Sequence, residues 1–306
     1  MILLGTGTSY GIPVVGCGCG VCSSKDPHDN RNRCSAYVSD RKGEFFAVVD
    51  TGPEFRIQAI KYGVRKVDAV FITHSHADHL NGLDDLRIFS HTKFVDPSKS
   101  PDKIHETKGD GLPIYTNART IRDIKNRFDY IFMPVKEGGG KPKLSLVDCE
   151  TLAEGETLSV GTVSAMHVPI MHGSYKAAGW VFGETGGDGR FHKIAYLTDT
   201  NFIPDKSVDL VLGFGGGDSV LDHLVIDGLR KEIHSTHFSF EQALGAAERF
   251  SARNTWLTHI DHNMGHEAIC SYVMELVDKK FPVLREISQK GGTVSPAYDG
   301  LELLAQ

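Results

Sequence analysis

The stretch His74-Ser75-His76-Ala77-Asp78-His79, entered directly from Val67-Asp-Ala-Val-Phe-Ile-Thr73 and followed by Leu80-Asn81-Gly82-Leu83, decides how the rest of the chain is read. The run before it has the composition of a buried strand, and the run after it that of a helix. Three histidines and an aspartate within six positions therefore fall in one strand-to-helix turn. His74 and His76, two apart, can point the same way, while Asp78 and His79 come from the next half-turn. Small Ser75 and Ala77 keep the turn uncrowded. This pattern reads as a metal-binding turn, because imidazole and carboxylate together suit divalent ions.

One six-residue turn cannot surround two ions, so further ligands must come from elsewhere. Three candidates stand at or just past other strand-like runs: His172 in Val-Pro-Ile-Met-His172, Asp199 in Tyr-Leu-Thr-Asp199, and His259 in Trp-Leu-Thr-His259. With the first motif they complete seven ligands. Residues 45–50, 67–74, 164–172 and 194–201 read as buried strands, each ending on a polar residue, and 209–214 and 254–262 as further strands. Residues 54–63, 80–89 and 238–252 read as helices, the first ending on a glycine. Strands alternating with helices over 1–306, with no repeat or linker to cut at, predict a single α/β domain with helices outside. Residues 92–111 and 136–143 are polar and rich in turn formers, so they read as surface loops, the first long enough for a lid.

Composition narrows the class. The chain has 306 residues, 40% hydrophobic and 24% charged, with a formal charge of −6. That balance argues against strong general affinity for nucleic acid or anionic membranes. No apolar run reaches membrane-spanning length, and Met1-Ile-Leu-Leu-Gly-Thr-Gly-Thr-Ser9 does not read as a signal peptide. A cytoplasmic, reducing compartment is the expectation, and clustered cysteines there point to metal rather than disulfides.

His-Ser-His-Ala-Asp-His, then a histidine, an aspartate and a final histidine, resembles the metallo-β-lactamase fold superfamily. The resemblance implies a four-layer αββα sandwich with two metals at the sheet edges. Carried onto this sequence, His74, His76 and His172 hold one metal, Asp78, His79 and His259 the other, and Asp199 bridges them. Asp50, in Val-Val-Asp50-Thr-Gly, matches the family's aspartate that orients the ligand turn; ligating histidines need such an acceptor for their other N–H. His167 competes with His172 for its place. His172 is preferred because it is followed, as in the family, by glycine and an aromatic-containing strand.

Three of the six cysteines crowd into Gly16-Cys-Gly-Cys-Gly-Val-Cys22. His262 lies three residues beyond His259 and is held within a turn of it. Cys17, Cys19, Cys22 and His262 make a Cys₃His set, the composition of a closed, structural zinc site on an accessory loop. Cys34, Cys149 and Cys270 are scattered and read as inert buried thiols.

The cluster, with Asn30-Arg-Asn-Arg-Cys-Ser35, Asp50-Thr-Gly-Pro-Glu-Phe-Arg56 and Gly82-Leu-Asp-Asp-Leu-Arg87, closely resembles the PhnP-like phosphodiesterases of the carbon–phosphorus lyase pathway. That resemblance implies two divalent metals at the active site, Mn²⁺ or Zn²⁺, beside one structural Zn²⁺. It implies opening of small cyclic phosphodiesters, phosphoribosyl cyclic phosphate or 2′,3′-cyclic nucleotides, with a small phosphodiester or nucleotide as partner and a homodimer as a possible assembly. His237, in Ile-His-Ser-Thr-His237-Phe-Ser, matches the family's histidine facing the scissile phosphate, with His234 its competitor. Asp78 is counted with it among the catalytic residues. Arg31, Arg33 and Arg87 are candidate phosphate contacts, since guanidinium suits paired oxygens. The rival activities on this fold are thioester, lactone or β-lactam hydrolysis and tRNA 3′ processing.

Overall fold

The computed structural model describes residues 1–90, 111–133, 141–153 and 155–306, together with the backbone of the short paired segments 93–94 and 105–106. Of the loops expected over 92–111 and 136–143, residues 93–94, 105–106, 111 and 141–143 are described, and the rest lie outside the described residues.

The strands of the first half are β1 (Ile2–Gly5), β2 (Ser35–Ser39), β3 (Phe46–Val49), β4 (Ala69–Phe71), β5 (Lys93–Phe94), β6 (His105–Glu106), β7 (Leu112–Thr116) and β8 (Leu144–Asp148). β5 and β6 pair with each other, and the remaining six form one sheet in the order β1-β2-β3-β4-β7-β8. The second half supplies β9 (Leu158–Val160), β10 (Val163–His172), β11 (Tyr175–Thr185), β12 (Phe191–Leu197), β13 (Val220–Asp227), β14 (Asn254–Thr258) and β15 (Thr293–Pro296). These seven form the other sheet, in the order β15-β14-β13-β12-β11-β10-β9. Each sheet is parallel along one part and antiparallel along the other.

Alternate residues of the central strands feed different apolar layers, as the two-residue period of a strand requires. Ala69 and Phe71 of β4 meet Trp180 and Phe182 of β11 between the sheets. Val70 and Ile72 turn outward onto Phe55, Ala59 and Leu83 beneath helix Phe55–Lys61. Val181 faces the opposite side, toward helices Phe240–Glu248 and His266–Lys280. Strands buried on both faces read as unbroken apolar runs. The layers are helices, sheet, sheet, helices: the αββα sandwich expected.

Two readings need correction. Residues 209–214 are not a strand: they end helix Asp205–Gly213, with Val208 and Val211 buried three apart. A short apolar run does not by itself distinguish strand from helix. The buried ammonium of Lys193 donates to Leu212 O, Phe214 O and Ser219 Oγ, at 2.8, 2.7 and 2.8 Å, and so fastens the end of this helix to β12. The helix read over 80–89 is broken into Ala77–Leu80, a 3₁₀ turn Leu83–Leu86 and Arg87–Ser90. Among the described residues, no helix is long and apolar enough to cross a membrane.

Candidate metal centre

The ligand candidates gather where strands from both sheets end on one edge. Three of these ends make the same backbone turn. Asp50 after β3, Asp199 after β12 and His259 after β14 have φ of 59°, 55° and 61°. Among the described residues the other non-glycine with positive φ is Ser251. Left-handed backbone costs energy for a residue with a side chain and clusters at functional sites. Ala178 N donates to Thr73 O at 2.8 Å, tying β11 to the segment that enters the histidine turn.

Ligand-capable atoms of His74, His76 and His172 lie within 4.8 Å of one another, as do those of Asp78, His79, Asp199 and His259. The groups adjoin: Asp199 places one oxygen 3.8 Å from His74 Nε2 and the other 3.0 Å from His79 Nε2. The seven residues thus converge, and all but His76 are buried.

Hydrogen bonds behind the imidazoles aim them. Asp50 Oδ2 accepts from His79 Nδ1 at 2.7 Å and from the Thr73 hydroxyl at 2.8 Å. That hydroxyl oxygen can in turn accept from His74 Nδ1, 3.0 Å away. Thr236 O accepts from His172 Nδ1 at 2.8 Å. Each interaction occupies Nδ1 and leaves Nε2 to face inward, the arrangement that ligating imidazoles require. Asp50 therefore sits where the sequence reading put it, behind the turn.

The residues fit divalent cations by a further test. His74 Nε2, His79 Nε2 and both ring nitrogens of His259 are buried and, among the described residues, make no well-directed hydrogen bond, although carboxylate oxygens of Asp199 approach His79 Nε2 and His259 Nε2 at 3.0 and 3.2 Å. Buried polar atoms of this kind are costly unless something satisfies them. Burial holds His74 well below its ordinary range, and His76 and His172 are lowered by the same cause, so all three offer neutral imidazole. Burial acts on His79 in the same direction, but the carboxylates of Asp199, Asp78 and Asp50 outweigh it and hold this histidine well above 6.5. Asp199 and Asp78 are held far below the usual carboxylate range: burial opposes ionisation, and the surrounding imidazoles overcome it.

His237 stands against both groups, its ring stacked on His259 at 4.5 Å and edge-on to His172 at 4.6 Å. Its Nδ1 lies 2.7 Å from Asp227 Oδ2. Burial would lower this histidine, yet Asp227 raises it to about 9. Asp227 is the site residue that the sequence reading missed. It ends β13, and Val-Ile-Asp227-Gly repeats the pattern of an apolar run closing on a polar residue. His234, the competitor, is farther out, 5.3 Å from His237 between ring centres. His167 is five residues from His172 on the same strand and so on its opposite face; it packs on Trp180 at 5.6 Å.

The accessory cluster also assembles. The thiols of Cys17, Cys19 and Cys22 lie 3.5, 3.4 and 3.4 Å from His262 Nδ1. Four such groups around one point fit a tetrahedral zinc site with no open position. Hydrogen bonds from the Cys22 N–H and from His262 bring Cys19 down to about 6, toward the thiolate that a metal needs.

Of the arginines offered as phosphate contacts, Arg31 is wholly buried and structural. It donates to Thr6 Oγ1 at 2.9 Å, to Ala297 O at 2.5 Å and to His266 Nδ1 at 3.1 Å. Arg33 pairs with Glu54 and donates to Ser9 O at 2.7 Å. Arg87 opens helix Arg87–Ser90 and lines a surface cleft with Arg56, Arg65 and Asp84.

Comparison with known proteins bears on the family and the fold. The family model described as "Beta-lactamase superfamily domain" matches residues 47–260. A crystal structure of a diphosphatase from the PhnP family is 33% identical, covers 99% of this chain and 95% of its own, and has a TM-score of 0.71. Zn²⁺-bound PqqB from Methylobacterium extorquens shares the fold at 15% identity, with 99% of each chain covered and a TM-score of 0.66. An octanoyltransferase from Porphyromonas gingivalis is 32% identical over 264 residues, 86% of this chain. The chain spans 46% of that protein, less than half its length. By the span of the matching model, and by the one-third identity shared end to end with a PhnP-family enzyme, the chain belongs to the β-lactamase superfamily, within its PhnP-like branch.

Proposed function

We propose that this chain is a dinuclear metal-dependent phosphodiesterase that opens small cyclic phosphodiesters, such as phosphoribosyl 1,2-cyclic phosphate or 2′,3′-cyclic nucleotides, to phosphomonoesters. One observation carries the reading: two adjoining ligand groups, with buried imidazole nitrogens that make no well-directed hydrogen bond among the described residues, stand beside a histidine held protonated by an aspartate. In this reading His74, His76 and His172 hold one ion, Asp78, His79 and His259 the second, and Asp199 both.

Two divalent cations, Mn²⁺ or Zn²⁺, would supply positive charge to the phosphoryl oxygens and acidify a water at neutral pH. The remaining work belongs to the chain. Asp227 accepts from His237 Nδ1, so His237 presents its other ring N–H to the site. That proton goes to the departing alkoxide, a contribution of about 10²–10⁴ in rate for a positioned general acid. Asp78 acts as a ligand, its carboxylate 3.2 Å from His79 Nε2 and 3.6 Å from His259 Nε2. Cys17, Cys19, Cys22 and His262 hold a third ion, Zn²⁺, with a structural role.

The octanoyltransferase match leaves more than half of that protein unaligned, so its named activity is not carried over. The test compares metal-loaded turnover of bis(p-nitrophenyl) phosphate and 2′,3′-cyclic AMP with that of nitrocefin and a glutathione thioester. Diester hydrolysis with little activity on the other two is expected. A silent diester assay on fully loaded protein overturns the reading.

A further inference from the structure

Asp199 has to divide its two oxygens between the two ligand groups. Its own covalent structure does not fix the division, because the torsion that turns a carboxylate is broad. In the structure Oδ1 lies 3.8 Å from His74 Nε2 and 3.2 Å from His259 Nε2, while Oδ2 lies 3.0 Å from His79 Nε2. The preceding residue holds this orientation. Thr198, fully buried just past the end of β12, donates its hydroxyl to Asp199 Oδ2 at 3.0 Å. An ionised carboxylate is a strong acceptor, and a bond to one of its oxygens sets the rotation of both.

A hydroxyl has one proton, and among the described residues Thr198 has a second acceptor in reach. Cys34 Sγ stands 3.8 Å from Thr198 Oγ1. Burial, and after it the charge of Asp199, pushes this thiol up to about 12, so it keeps its own proton. The sulfur of a neutral thiol accepts weakly, and the proton of Thr198 is left to Asp199. The same sulfur lies 3.4 Å from Thr258 Oγ1, on the residue before His259. Cys34 precedes β2 of the other sheet and is fully buried. One weakly polar side chain from the first sheet thus packs under the two strand ends that present Asp199 and His259 in left-handed backbone. An oxygen in its place would offer Thr198 a competing acceptor of real strength.

We infer that Thr198 is the positioning residue of the carboxylate shared by the two ligand groups, and that a weakly accepting side chain at position 34 keeps its proton on Asp199. This rests on the dinuclear reading and adds to it the group that apportions Asp199 between the ions. The competing account is that Thr198 only fills space at a strand end, its methyl packing and its hydroxyl incidental. The two accounts differ in what they put at risk. Removing a hydrogen-bond partner of a ligating carboxylate typically costs about 10–100-fold in metal affinity or activity. Lost packing shows in stability instead.

The test is titration of chelator-treated protein with Mn²⁺, followed by calorimetry for affinity and by electron paramagnetic resonance for the exchange-coupled signal of paired ions. The wild type is expected to bind the exchangeable pair and to give the coupled signal. Thr198→Val, which keeps the shape and removes the hydroxyl, should bind the pair about 10–100-fold more weakly and lose most of that signal. Thr198→Ser, which keeps the hydroxyl and removes the methyl, should stay close to wild type in both. Cys34→Ser should weaken binding by about threefold or more, and Cys34→Ala, which has no acceptor, by under about twofold. Thermal melts of the metal-free proteins separate these effects from folding. Wild-type affinity in Thr198→Val, or equal losses in Thr198→Val and Thr198→Ser, overturns the assignment. Should Thr198→Val fail to fold, the two Cys34 variants decide, and equal affinities there count against it. If the wild type binds no exchangeable Mn²⁺, the dinuclear reading and the assignment fall together; if it binds the pair and Thr198→Val matches it, the assignment alone falls.

Discussion

His237 Nδ1 and Asp227 Oδ2 meet at 2.7 Å, although they come from a loop and from the end of β13. Asp227 also accepts from Thr200 N at 3.0 Å, which anchors it independently of the histidine. Asp227→Asn should therefore leave the fold intact and remove the group that keeps His237 protonated. The expected loss is about 10²–10⁴ in kcat on a 2′,3′-cyclic nucleotide, whose alkoxide leaves poorly without a proton. On bis(p-nitrophenyl) phosphate, whose phenolate leaves readily, the loss should be under tenfold. Steady-state kinetics on the two substrates checks this; equal losses would assign the pair a structural role.

Metal content is the second expectation. Fully loaded protein should carry about three divalent ions per chain, one of them released far more slowly by chelator, because a closed four-ligand site with thiolates has no open position for exchange. Cys19→Ser should abolish the slow ion and lower thermal stability. Asp199→Asn should reduce the two exchangeable ions together, since its carboxylate faces both ligand groups. Elemental analysis before and after dialysis against chelator reads both.

Gly52 lies against the histidine turn so closely that a Cβ there would stand 2.2 Å from Asp78 O. Gly82 has the same relation to Gly52 O, at 2.1 Å. In each case the obstructing atom is backbone, which cannot swing aside. Gly52→Ala should displace the Asp78–His79 segment, destabilise the protein by about 1–3 kcal/mol as overpacking does, and reduce the two exchangeable ions. Denaturant melts with metal analysis test this; a variant that binds and melts like wild type would show that the turn yields.

Acid should act on two neighbours of Arg31 in opposite senses. Burial, with Arg31 and His28 nearby, lowers His266 to about 4, while burial raises Asp299 to about 6 against the donors Asn32 and Thr6. Between about pH 6.5 and 4 the unfolded chain protonates His266 before the folded one does, so this group's stabilisation is lost as pH falls. Asp299 binds its proton first in the folded state, so between about pH 6 and 3.8 its contribution becomes more favourable as pH falls. Relative to wild type, Asp299→Asn should melt progressively lower on acidification, and His266→Gln progressively higher. Melting temperatures at pH 7 and 4.5 supply both slopes, and slopes of the same sign would refute the assignment.

That seven His and Asp side chains would gather at one edge was legible because His172, Asp199 and His259 each stand at or just past the end of a strand, and the other four share one six-residue turn. Asp227 carries the same mark and went unread because β13 itself, Val-Leu-Asp-His-Leu-Val-Ile-Asp227, was not picked out. Its internal Asp222 and His223 interrupt the apolar run; in the structure Asp222 pairs with His192 and Arg253, and His223 accepts from Trp256 Nε1. The helix ending at Gly213 was read as a strand because six residues cannot separate a two-residue period from a 3.6-residue one. Arg31 shows the opposite failure. A guanidinium suits paired phosphate oxygens, but only packing reveals that the donors of Arg31 are consumed inside the protein. The left-handed turns at Asp50, Asp199 and His259 leave no compositional trace, since nothing in the sequence marks φ.

His259 and His262, three positions apart, each complete a different cluster whose other members lie far earlier in the chain. A polypeptide emerging from the ribosome consequently carries two open, thiol- and imidazole-rich half-sites until β14 has been made and docked. One short late segment then closes both together. Neither ligand group is complete before this segment has been made, and a translation product stopped before residue 254 would be able to finish neither.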